Sequence, residues 1–204
     1  MKKALCLILS LFAFLSAFAQ EPVDATPEKG DFRASIGWGW SFGMNFDGTD
    51  GHTRPIIPLN IRADYTFLTF ADGQGSVAAG ALFEFCHYQT WFTRDTYSNG
   101  NVKTTHTWTN GILAAEATAR YCLWQDFEAY GRVFLGANLQ LGYTEEYSDE
   151  SYANIVPHTN GPGNSGAFGL IVGLDHFVSE HMIIGIEAGL GCYTTLGFSL
   201  GYKF

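Results

Sequence analysis

The chain has 204 residues, a formal net charge of −9, and 15% charged side chains, against about 25% in ordinary soluble domains. Glycine (24) and aromatic residues (16%) are abundant instead. The acidity argues against nucleic acid as a partner. Beyond the N-terminal segment no stretch is apolar enough for a spanning helix, which needs about 20 residues.

Lys2 and Lys3 precede an uncharged apolar run from Ala4 to Phe18, and Ala17-Phe18-Ala19 has the small-x-small form of a cleavage site. Residues 1–19 are expected to be a signal peptide, cut before Gln20. Cys6 lies inside the apolar run, too early for a lipoprotein cysteine. Losing the two lysines takes the formal charge to −11. Cys86, Cys122 and Cys192 remain, and an odd number in an exported chain leaves at least one thiol free or bonded between molecules. Residues 20–31, with two prolines and several charges, are expected to be a periplasmic linker.

From residue 32 onward alternation with period two dominates, the mark of strands. Phe32, Ala34, Ile36, Trp38, Trp40, Phe42, Met44 and Phe46 form a large apolar row, opposed by Arg33, Ser35 and a run rich in glycine. The pattern recurs from Ile57 to Phe67, Val77 to Cys86, Leu113 to Tyr121, Glu128 to Tyr143, Phe168 to Asp175, Ile184 to Gly191 and Leu196 to Phe204. That predicts about eight strands, most near the ~9–11 residues a membrane strand needs. Connections after the first, third and fifth strands are long: Asp47 to Pro55, Arg94 to Thr105, and Glu145 to Ser165. Those after the second, fourth and sixth are short, and so is the one near Tyr193-Thr194, which breaks the rule. Short inner turns and long outer loops suit an outer-membrane barrel. The fold expected is all-β: a closed antiparallel up-and-down transmembrane β-barrel of about eight strands, spanning 32–204.

Three features place the apolar row outward. The polar row is rich in glycine and poor in lysine, unlike a solvated surface. Its charges are of both signs, as a packed lumen requires. Trp38, Trp40, Tyr65, Tyr121, Tyr143 and Tyr202 sit on the apolar row near strand ends, as interfacial girdles do. A hairpin centred on Trp124 would set Glu116 opposite Arg132, Arg120 opposite Glu128, and Tyr121 opposite Phe127. A lumen ion-pair network of Arg62, Glu84, Glu116, Arg120, Glu128 and Arg132 is expected, with Asp64 and Glu187 on the same row. An interior just wide enough for side chains makes a structural role the simpler reading of these charges.

Phe198-Ser-Leu200-Gly-Tyr202-Lys-Phe204 resembles the C-terminal signal of outer-membrane proteins, alternating apolar residues that end in phenylalanine. With the leader and the strand pattern, the chain resembles small outer-membrane barrels of the OmpX/OmpA-type architecture, in the style of Bacteroidetes porin-family barrels. The resemblance covers roughly Asp31 to Phe204. It implies outer-membrane lipids, lipopolysaccharide and the barrel-assembly machinery as partners, an outer-membrane location, and a monomer. It carries no catalytic motif and implies no cofactor.

The expected role is therefore non-enzymatic: a barrel with a packed polar lumen, structural or binding at the surface through its outer loops. The alternatives are a lipid-A-modifying barrel enzyme (acyltransferase or deacylase) and a narrow channel. An enzyme needs His, Ser and a carboxylate within hydrogen-bond reach. His158 and Ser165 fall in a loop, His87, His106 and His176 are scattered over strand ends, and His181 is in a turn. The Glu145-Glu146…Asp149-Glu150 run lacks the spacing of a calcium loop and reads as a solvated acidic loop. Gly161-Pro-Gly163 is a turn signal.

Overall fold

The computed structural model describes residues 26–41, 52–54, 57–96, 100–148 and 163–204. The expected leader, the row beyond Trp40, and His158 lie outside the described residues.

Among the described residues nine strands form one antiparallel sheet: β1 (Phe32–Trp40), β2 (His52–Arg54), β3 (Leu59–Phe70), β4 (Gly75–Thr96), β5 (Gly100–Trp124), β6 (Phe127–Tyr147), β7 (Ser165–Phe177), β8 (Met182–Leu190) and β9 (Leu196–Lys203). Eight of them close a ring, β1-β3-β4-β5-β6-β7-β8-β9, sealed where β9 pairs with β1 from Arg33↔Lys203 to Trp40↔Leu196. Each ring strand pairs with its sequence neighbour, so the topology is up-and-down. The amide of Phe204 donates to the carbonyl of Phe32 at 2.9 Å and ties the last residue to the seam.

Closure removes every edge from the ring, which is how strands satisfy their backbone without water. The alternation places Ile61, Leu113, Val133, Leu135, Phe168 and Val172 outward and exposed. Arg62, Glu116, Arg120, Arg132 and Ile171, one residue out of phase, point inward and are buried. Exposed aromatics flank this belt: Trp38 and Trp40 at one end, Tyr121, Trp124, Tyr202 and Phe204 at the other, where β1 begins and β9 finishes, termed the termini end.

The termini end is closed tightly. A turn at Ala71–Gln74 joins β3 to β4, with Ala71, Asp72 and Gly73 all at positive φ. The preceding linker packs beneath the ring: the Gly30 amide bonds Thr66 O, the Thr66 amide bonds Asp31 O, and Lys203 Nζ lies 3.0 Å from Asp31 Oδ2. Pro27 is fully buried.

Four expectations are corrected here. Most of the expected loop from Arg94 to Thr105 is strand, because β4 and β5 pair without interruption from Gly75↔Tyr121 to Thr96↔Gly100. Likewise β6 runs through Glu145 and Glu146, and β2 occupies part of the first expected loop. The segment from Val102 to Thr109 is rich in threonine, valine and tryptophan, which favour strands even where no apolar row is required. The hairpin register also differs by two residues. Glu116 pairs Phe134, Thr118 pairs Arg132, Tyr121 pairs Ala129 and Cys122 pairs Glu128. The turn is at Gln125-Asp126, with an irregularity between Cys122 and Trp124. A two-residue slip keeps every side chain on its face, so the inward set is unchanged.

Beyond Phe85 on β4 and Asn138 on β6 the neighbouring ring strands stop pairing, while β4, β5 and β6 continue. With β2 paired to β4 they form a four-stranded arm, β2-β4-β5-β6, on the end away from the termini. The extra length of β4 is about 35 Å of strand at ~3.3 Å per residue.

Candidate functional site

Among the described residues ten Arg, Asp and Glu side chains are buried in the lumen: Arg33, Arg62, Arg120 and Arg132, with Asp64, Glu84, Glu116, Glu128, Asp175 and Glu187. Their contacts run across the ring as well as along it. Arg33 on β1 donates to both oxygens of Glu128 on β6, at 2.8 and 3.1 Å. Arg120 bonds Asp64 at 2.5 Å and lies 3.4 Å from Glu128. Arg62 donates to Glu187 at 2.7 Å, where Tyr130 Oη also donates at 3.2 Å. Glu116 sits between Arg62 (3.9 Å) and Arg132 (3.8 Å). The guanidinium of Arg132 stacks 4.4 Å above the Tyr130 ring, and that of Arg33 lies 5.2 Å from the Phe177 ring.

Of the six residues expected in the network, the structure brings Arg62, Glu116, Arg120, Glu128 and Arg132 into ion pairs. Glu116 and Arg132, and Arg120 and Glu128, meet diagonally and not face to face, because long side chains span neighbouring rungs. Glu84 is the exception. It caps the short Gly191–Thr195 connection, accepting from the Tyr193 amide (2.9 Å), the Thr194 amide (2.8 Å) and the Thr194 hydroxyl (2.6 Å). Tyr193 and Thr194 are thereby buried in the barrel, and the Tyr193 hydroxyl donates to Asn138. The connection that breaks the loop-length rule is an inward-folded stopper. Sequence reasoning also left Arg33 and Asp175 out of the network, although both lie on inward rows.

The lumen is not polar throughout, which corrects the expected interior. Leu82, Tyr88, Trp108, Ile112, Phe134 and Ile171 form an apolar cluster together with Tyr193. A narrow barrel is stable only if side chains fill it to native density, and apolar residues do so without unpaired groups. Glycines provide the room: Phe134 pairs Gly169 and Tyr130 pairs Gly173, and a Cβ at either glycine would strike the ring opposite.

At the base of the arm Tyr88, Trp108 and His106 stack in a column, with centroids 5.1 and 5.3 Å apart. Tyr143 joins it, its hydroxyl 2.6 Å from His106 Nδ1. The sequence put Tyr143 on the outer girdle. A bulge between Thr109 and Asn110 reverses the alternation of β6, turning Tyr143 inward opposite Trp108. Glu145 Oε1 is 3.9 Å from His106 Nε2.

His87, His176 and His181 lie apart from this column. His87 bonds Thr109 across β4 and β5, His176 stacks on Phe127 at the termini end, and His181 stacks on Tyr202. Among the described residues no group of three His, Cys, Asp or Glu is placed to hold a metal. Cys86, Cys122 and Cys192 form no disulfide among the described residues, and the thiols of Cys122 and Cys192 donate to the carbonyls of Trp124 and Thr194.

A closed antiparallel ring that is apolar outside and charged or tightly packed inside defines the class: a small transmembrane β-barrel. No protein-family model and no curated protein matches the chain. Among solved structures it is similar to Ail, the attachment invasion locus protein of Yersinia pestis, in complex with the heparin analogue sucrose octasulfate, at 14% identity and a TM-score of 0.41, over 87% of this chain and 100% of that one. It is also similar to the outer membrane protein OprG from Pseudomonas aeruginosa, at 12% identity and a TM-score of 0.46, over 87% and 97%. Ail in a phospholipid bilayer nanodisc matches at 16% identity and a TM-score of 0.39, over 86% and 99%. The class itself rests on the chain's own ring closure and polarity.

Proposed function

We propose that this is a non-enzymatic outer-membrane barrel whose working part is the arm, a surface-exposed sheet carried on a sealed anchor. The observation that carries this is the contrast between the two. The ring is closed by the Glu84-held stopper, the apolar cluster and the ion-pair layer, while β4, β5 and β6 extend well past it. The termini end faces the periplasm and the arm faces outward. Outside the belt the arm carries cross-strand polar pairs, His87 with Thr109 at 3.0 Å and Gln89 with Thr107 at 3.2 Å, in place of lipid-facing apolar residues.

A lumen so filled should not conduct. In planar bilayers the refolded protein is expected to give no discrete conductance steps. Regular single-channel steps would favour the narrow channel. Lipid A from cells with and without the protein should have the same mass. A lost or added acyl chain would establish the enzyme reading, with His106, Tyr143 and Glu145 the first residues to change. Shortening β4 and β5 to the ring should leave outer-membrane levels intact and abolish surface binding by intact cells; binding that survives contradicts a role for the arm.

Phe198, Leu200 and Tyr202 lie on the outward row of β9, and Phe204 follows it, at the seam between the last strand and the first. Their placement supports a role as the assembly signal. Deleting Phe204 should slow appearance in the outer membrane several-fold while leaving the unfolding midpoint of the refolded barrel nearly unchanged. Unaltered assembly kinetics would refute that role.

A further inference from the structure

Beneath the apolar cluster, inside the charged layer, lies a cavity of about 20 Å³. Its polar lining is Arg33, Ser35, Asp64, Arg132, Asp175 and Ser199. All but Ser35 are more than nine-tenths buried. Four atoms of this lining have no hydrogen-bond partner among the described residues: Arg33 Nε, Arg132 Nε, Arg132 Nη1 and Asp64 Oδ1. Three are donors and one is an acceptor. Leaving a buried donor or acceptor unsatisfied is destabilising, and more so for a charged group. Such groups in native interiors are therefore nearly always satisfied, by protein or by ordered water.

We infer that this cavity is a built site for internal water, held between Asp64, Arg33 and Arg132. The chemistry of the lining selects the ligand. A metal ion would meet guanidinium donors, and a halide would meet the carboxylates of Asp64 and Asp175. Two arginines and two aspartates also leave the immediate lining without excess charge, so neither ion is attracted by net charge. Only a ligand that both donates and accepts satisfies the whole lining. The volume suits this, since about 10–15 Å³ of such space holds one water molecule. The water completes the ion-pair layer: it links Arg132, whose Nη1 is 3.8 Å from Glu116 and too far for a direct hydrogen bond, to the Asp64 side of the network. The site is independent of what the arm binds.

The test uses the refolded full barrel in micelles with ¹⁵N-labelled arginine. Cross-relaxation between water and the Nε protons of Arg33 and Arg132 should carry the sign of a long-lived bound water. In Gly201→Ala the new methyl would enter the cavity wall, 3.3 Å from Ile183 Cβ and 3.6 Å from Ser35 Cβ. That variant keeps both serines, so loss of the signal there excludes relay through their hydroxyl protons. Absence of the signal in the unmodified protein overturns the proposal, as does its survival in Gly201→Ala. If Gly201→Ala does not fold, the unmodified protein still decides. A shift in the unfolding midpoint when chloride is replaced by gluconate at constant ionic strength would assign the cavity to an anion and overturn it too.

Discussion

Replacing Glu128 with glutamine is expected to destabilise the refolded barrel by about 3–5 kcal/mol, because removing one partner of a buried ion pair leaves the other charge uncompensated. Glu128 is fully buried and is shared by Arg33 and Arg120. Arg120 retains Asp64, so the burden falls on Arg33, which keeps the Phe177 ring and the cavity it shares with Asp64 and Asp175 in place of a direct carboxylate bond. Adding Arg33→Met should therefore recover much of the loss. Urea unfolding of the two single variants and the double variant closes the cycle. Additive effects would show that Arg33 and Glu128 do not interact, and that the contact spanning the lumen is not formed.

Val133→Arg probes the opposite face. Val133 is exposed and stands at the middle of the part of β6 that belongs to the ring. An arginine on the lipid face near the bilayer midplane costs about 2–4 kcal/mol. In unfolding from lipid vesicles this variant should lose that amount. Arginine at Glu146, on the exposed end of β6, should change stability by less than about 0.5 kcal/mol, as surface substitutions usually do. Equal effects at the two positions would mean that β6 is solvated along its whole outward face.

The strands and their faces were legible because period-two alternation is local: Ile61 and Arg62 announce opposite faces without reference to any other strand. The lumen was legible only where partners lie on adjacent strands. Arg33 and Glu128 are joined across the barrel, and nothing in the sequence connects positions on β1 and β6. Glu84 shared the inward row, but two of its three partners are backbone amides of a turn, which carry no residue-type signal. The only hint was that the Tyr193-Thr194 connection was too short for its side of the barrel. The register error came from the place of the turn, at Gln125-Asp126 and not at Trp124, whereas the inward turn of Tyr143 came from a single-residue irregularity. The irregularity at Thr109/Asn110 reverses a face, and alternation read along one strand does not reveal it. The arm was missed because its two faces lack the apolar row that marked the ring.

The most direct test of the account is a map of contacts between protein methyl groups and lipid acyl chains by nuclear Overhauser spectroscopy in bilayer nanodiscs. Ile61, Leu113, Val133, Leu135 and Val172 are exposed on the outward row, whereas Leu82, Ile112, Ile171 and Ile183 are buried inside the ring. Acyl-chain contacts on the first set and none on the second are expected. Contacts on the second set, or water contacts in place of lipid along the first, would contradict a transmembrane barrel with a sealed lumen.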